Sequence, residues 1–130
     1  MSIEENKKIA SIDMQYLERG EVEERLLLYD DNPTIWDPLI RIIKYSSSNT
    51  IAGFEEVKKF YTSLAGMGSI KVNIQSIFGE GDKVAVEWIL TEGEGAQRLE
   101  IPCVNLYDFE KGKIKNARLH FDSAYFAESI

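Results

Sequence analysis

Apolar residues recur at helical spacing early in the chain and in strand-like runs through its second half. Ser2 with Glu5 forms a capping-box signature, and Ile9, Ile12 and Tyr16 follow on one helical face. Gly20 ends or kinks this helix. Glu21 to Tyr29 continues helically, with Val22, Leu26 and Tyr29 on one side and acids in the first turn. Asp30-Asp31-Asn32-Pro33 breaks the pattern. Thr34 to Tyr45 reads as extended, with Pro38 confining it to an edge or bulge, and Ser46 to Asn49 as a polar loop. Gly53 to Leu64 reads as a helix with Phe54, Val57, Phe60 and Tyr61 on its apolar face, stopped by Gly66 and Gly68.

The remainder predicts a sheet. Ile70 to Phe78, Lys83 to Thr91, Arg98 to Phe109 and Lys113 to Phe121 are β-like runs. Gly79-Glu80-Gly81-Asp82, Glu92-Gly93-Glu94-Gly95 and Lys111-Gly112 separate them as hairpin turns. Successive hairpins make an antiparallel meander. The predicted plan is one α+β domain over residues 1–130, with N-terminal helices packed on a curved antiparallel sheet around a single pocket.

Composition narrows the function classes. Hydrophobic residues make up 44% and charged residues 28% of the 130, as in an ordinary globular domain. The net charge of −7 repels phosphate backbones and anionic headgroups, and Lys7-Lys8 and Lys58-Lys59 are only short basic pairs. The expectation is therefore no nucleic acid and no membrane partner. The charged N-terminus lacks a signal-peptide run, and the single cysteine, Cys103, forms no intrachain disulfide, so a cytoplasmic location is expected.

Familiar catalytic motifs are missing. Gly79-x-Gly81 and Gly93-x-Gly95 lack a third glycine and sit between strands, which makes them turns. With one His and one Cys, neither a metal site nor any other cofactor site is expected.

Several stretches in order carry a family resemblance: Arg19-Gly20-Glu21, Leu28-Tyr29-Asp30-Asp31 leading to Trp36-Asp37-Pro38, Gly53-Phe54-Glu55-Glu56-Val57 with Phe60-Tyr61, and Gly112-Lys113-Ile114 ending in Phe121-Asp122. Together they resemble the NTF2-like (SnoaL-like) superfamily of cone-shaped α+β folds, over nearly the whole chain. That superfamily includes ketosteroid isomerase, scytalone dehydratase, limonene epoxide hydrolase and polyketide cyclases. The resemblance implies a small apolar ligand in the cone and a homodimer paired through the outer face of the sheet. The local match is greatest to ketosteroid isomerase, whose general-base aspartate falls on Asp37 and whose oxyanion-binding aspartate falls on Asn105. Its oxyanion-binding tyrosine falls on Asp13, with Tyr16 one turn away as a substitute. Of the catalytic residues of limonene epoxide hydrolase, only the aspartate of the closing strand is matched, by Asp122.

Each candidate also has a structural role open to it. Asp37 between Trp36 and Pro38 suits a base raised by desolvation, or a cap for the turn at Pro38. Asn105 lies in an otherwise apolar strand, where its amide can donate to an oxyanion or tie neighbouring strands. Trp36, Trp88 and Phe121 are candidate apolar walls, and Tyr16 a candidate ligand contact. Alternation leaves either His120 with Asp122 or Leu119 with Phe121 facing the pocket, and a bulge would bring in both Phe121 and Asp122. The implied function is a cofactor-independent isomerase, dehydratase or cyclase, or else a non-catalytic binding or dimerisation module.

Overall fold

The first helix, α1 (Ile3–Arg19), opens on the expected cap: the Ser2 hydroxyl accepts the Glu5 backbone N–H at 3.1 Å. It closes at Gly20, whose left-handed φ of 69° places its N–H on the last carbonyls. The buried stripe is rotated from the expected one. Asn6, Ala10, Asp13 and Met14 are buried, while Ile9, Ile12 and Tyr16 flank them half-buried. The structure, a computed structural model, describes residues 2–129, apart from the side chains at 127 and 129.

A second, short helix, α2 (Val22–Leu26), ends before Tyr29, which already belongs to strand β1 (Tyr29–Trp36). The Asp30 to Pro33 segment does not break that strand; it forms a bulge, where register with the last strand shifts between Tyr29 and Thr34. Lys115 Nζ holds the bulge through Asp30 Oδ1 at 3.3 Å and the Asn32 carbonyl at 3.0 Å.

The extended run expected from Thr34 to Tyr45 stops at Trp36. Pro38, with φ of −59°, leads into helix α3 (Leu39–Ile42), because its ring suits a helix start and supplies no ladder donor. Strand β2 (Thr50–Ala52) follows and pairs antiparallel with β1, and helix α4 (Phe54–Ala65) buries Val57, Phe60 and Tyr61.

The predicted meander is present as β3 (Lys71–Glu80), β4 (Lys83–Glu92), β5 (Leu99–Glu110) and β6 (Lys113–Phe121). The β5–β6 turn takes positive φ at Lys111 and Gly112, as a two-residue hairpin requires. The six-stranded sheet has the order β2-β1-β6-β5-β4-β3, with every pairing antiparallel except β1 on β6. A final helix, α5 (Ser123–Ser129), follows β6.

The sheet curves around the helices. Val84, Val86, Trp88 and Leu90 of β4 and Ile101, Cys103, Asn105 and Tyr107 of β5 point into the concave side. The outer side carries the row Phe78–Ala85–Leu106–Arg118 across four strands. Among the described residues no helix is long and apolar enough to cross a membrane.

Candidate functional site

Between the helices and the concave sheet lies a cavity of about 510 Å³. Exposed Arg19, Gly20, Met67 and Gly68 border its mouth, and buried Ile35, Asp37, Trp88 and Asn105 line its depth.

Asp37 reaches the cavity because the strand ends there. Its backbone N–H bonds the Asn49 carbonyl at 2.9 Å, and its Oδ1 accepts the Leu39 N–H, also at 2.9 Å, across the start of α3. The side chain thus caps the turn at Pro38. Its second oxygen has no hydrogen-bond partner among the described residues. With 7% of the residue exposed, burial raises the carboxyl pKa to about 7, against the lowering pull of the Leu39 N–H and the Arg25 charge. Two other carboxylates, Glu18 and Glu92, border the cavity but are not buried.

Asn105 faces inward from β5, diagonal to Trp88 on β4. The Trp88 indole N–H, which can only donate, lies 2.8 Å from Asn105 Oδ1 and so fixes the amide orientation. Asn105 Nδ2 then donates to the Tyr107 hydroxyl at 3.3 Å. That hydroxyl donates its own hydrogen bond to Asp13 Oδ2 at 2.7 Å, with Met14 Sδ a second neighbour at 3.3 Å.

Asp13 is the centre of a buried polar network that sequence reasoning missed. It is 0% exposed, and Arg25 grips it with Nε to Oδ1 at 2.8 Å and Nη2 to Oδ2 at 3.3 Å. Tyr29 donates to Oδ1 at 3.0 Å, and the Tyr29 and Tyr61 hydroxyls are 2.9 Å apart. The Tyr29 proton goes to Asp13, so Tyr61 supplies the proton between the two tyrosines. Arg25 also stacks 3.8 Å over the Tyr61 ring. Burial opposes the Arg25 charge most, but Asp13 together with Tyr61 and Tyr29 outweighs it and the guanidinium pKa rises. Burial, reinforced by Asp13, pushes the Tyr29 and Tyr107 hydroxyls upward and Tyr61 to about 12. The available signal lay on α1, where the polar residues Asn6 and Asp13 interleave with Ala10 and Met14 at helical spacing.

Tyr16 and Trp88 border the cavity as well. Trp36 borders it at the end of β1, but its ring stacks on His120 with centroids 4.9 Å apart, in register with Arg118 on the outer side. On β6, Ala117 and Leu119 take the inner face, which leaves His120 exposed outside. Phe121 shares the inner face but packs edge-on against Phe126 of α5. Asp122 stands outside the cavity, exposed: its Oδ1 accepts the Tyr125 N–H at 3.0 Å as the cap of α5, so no bulge turns it inward.

Helices packed on a curved sheet, enclosing a cavity with the carboxyl of Asp37 and the Asp13 network at its depth, are the architecture of the NTF2-like fold. The SnoaL-like domain family matches residues 14–117, and the chain belongs to it. Among curated proteins none matches. An NTF2-like protein of unknown function from Burkholderia pseudomallei is similar at TM-score 0.82 and 17% identity, covering 100% of this chain and 98% of its own. Bal32a, from a soil-derived mobile gene cassette, is similar at TM-score 0.79 and 20% identity, over 97% and 96% of the two chains. TerC, co-crystallized with polyporic acid, is similar at TM-score 0.79 and 18% identity, over 95% and 96%. At these identities the likeness concerns the fold alone.

Proposed function

We propose that this chain is a cofactor-independent enzyme that moves a proton on a small, largely apolar carbonyl or hydroxyl compound, by isomerisation, dehydration or cyclisation. Asp37 takes the proton, Asn105 donates its second amide N–H to the developing oxyanion, and Tyr16 and Trp88 hold the apolar body. The observation that carries this reading is the unpartnered Asp37 oxygen at the cavity, on a carboxyl whose pKa of about 7 suits a base at neutral pH. These roles follow the local likeness to ketosteroid isomerase, with Asn105 where that enzyme holds an acid. The chain works in the cytoplasm and pairs as a homodimer through the outer side of the sheet.

The test is exchange of the α-protons of 2-tetralone in D₂O, followed by proton NMR. The native chain should exceed buffer, and Asp37→Asn should lose about a hundredfold of that excess. Equal rates for the two proteins would overturn the assignment of Asp37.

A second reading, a non-catalytic binding module, draws on the structural work both residues do: Asp37 caps α3, and Asn105 bridges Trp88 and Tyr107. A co-purified ligand released unchanged in native mass spectrometry supports that module. A product formed from the ligand excludes it.

A further inference from the structure

Asp13 and Arg25 are unequal partners at the cavity. Asp13 accepts four hydrogen bonds, two from Arg25 and one each from Tyr29 and Tyr107. Those fill the acceptor sites of a carboxylate, and Asp13 does not border the cavity. Arg25 does border it, although only 6% exposed. Its Nη1 has no hydrogen-bond partner among the described residues, since both bonds to Asp13 use Nε and Nη2. The Tyr61 ring covers one guanidinium face and holds the group flat, so the unused N–H edge is fixed.

The network is directional, because Trp88 donates to Asn105, Asn105 to Tyr107, and Tyr107 to Asp13. The negative end is hidden and saturated. What this network leaves for a ligand is donor capacity: the Arg25 edge, and the second N–H of Asn105, which also borders the cavity. A buried, pre-oriented guanidinium edge is matched by an anionic oxygen, whose charge-assisted bonds there are about twice as strong as neutral ones.

We propose that the cavity takes an apolar acid, a carboxylate or enolate on a hydrocarbon body, with its ionised oxygen docked on the free N–H edge of Arg25. Arg25 is thereby the specificity-determining residue of the pocket, and Asp13, Tyr29 and Tyr107 position it. The proposal rests on the proton-transfer reading only for what the acid undergoes there.

The experiment compares 2-naphthoate with 2-acetonaphthone, which share an aromatic body and differ in a carboxylate against a methyl ketone. Binding is read from tryptophan fluorescence on the full chain. The native protein should bind naphthoate at least about tenfold more tightly. The neutral pair Asp13→Asn with Arg25→Gln should bring that ratio to about one, with the ketone's affinity within about threefold of native. Equal binding by the native chain overturns the proposal, as does a preference retained in a cooperatively melting double variant. Should the double variant fail to fold, the ¹⁵N signal of Arg25 Nε in the native protein decides. A shift with naphthoate and not with the ketone supports the proposal, and no shift with naphthoate overturns it. Asp37→Asn should keep the anion preference. A native chain that shows the preference without exchange activity supports this proposal while removing the proton-transfer reading.

Discussion

Replacing Asp37 by Asn keeps an acceptor for the Leu39 N–H and removes the buried charge. The folded carboxyl holds its proton up to about pH 7, whereas the unfolded chain gives it up near 4. Between those values the folded state binds more protons, so native stability falls as pH rises from about 4 to 7. The cost is fully present above 7, on the order of a few kcal/mol. Urea titrations should therefore find Asp37→Asn more stable than native at pH 8 and nearly equal at pH 4. A difference that does not change with pH contradicts the burial argument. Arg25→Met acts in the other direction. It leaves Asp13 charged and buried, and should cost about 3–5 kcal/mol, read by the same titration. At this scale the placing of Asp37 and Asn105 at the cavity was legible, because each is a polar residue in an apolar context. The Asp13 network was not, since its members lie on α1, α2, β1, α4 and β5, and only folding brings them together.

Elements were legible where local chemistry decides them. The four hairpin strands and α4 carry their own turn residues and periodicity, and their ends fall within a few residues of those expected. Between Tyr29 and Ala52 the extended run at Thr34 to Trp36 and the loop at Ser46 to Asn49 were legible, while the rest was not, because its structure depends on partners. Tyr29 to Trp36 becomes a strand by pairing with β6 and β2, despite Asp30 to Pro33, and β2 has too few residues to signal itself. The last helix was missed for a related reason: it is short and is started by Asp122, a residue that reads as well for a site as for a cap. Asp122→Ala should cost about 1 kcal/mol in chemical denaturation and leave ligand binding unchanged. Lost binding with little change in stability would instead return Asp122 to the cavity.

For the whole molecule, the cone was legible from element order and from the quoted family stretches, since short hairpins leave the concave sheet few ways to meet the helices. The parallel pairing of β1 on β6 was not, because no local signal marks a partner so far along the chain. The outer side of the sheet presents Phe78, 54% exposed, in one row with Ala85 and Leu106. Light scattering at micromolar concentration should give a dimer mass, and Leu106→Arg should give a monomer, because a like charge pair across the two-fold opposes association. A native monomer contradicts pairing on this face.

The proposed chemistry turns on the buried Asp37 carboxyl, which exchanges its proton near neutral pH at the depth of the cavity. The most direct measurement is the pH titration of the Asp37 side-chain carboxyl carbon by NMR, assigned by its loss in Asp37→Asn. A midpoint at about 7 is expected for the buried carboxyl. A midpoint near 4, the ordinary value for a hydrated aspartate, would contradict it and leave Asp37 as the cap of a turn.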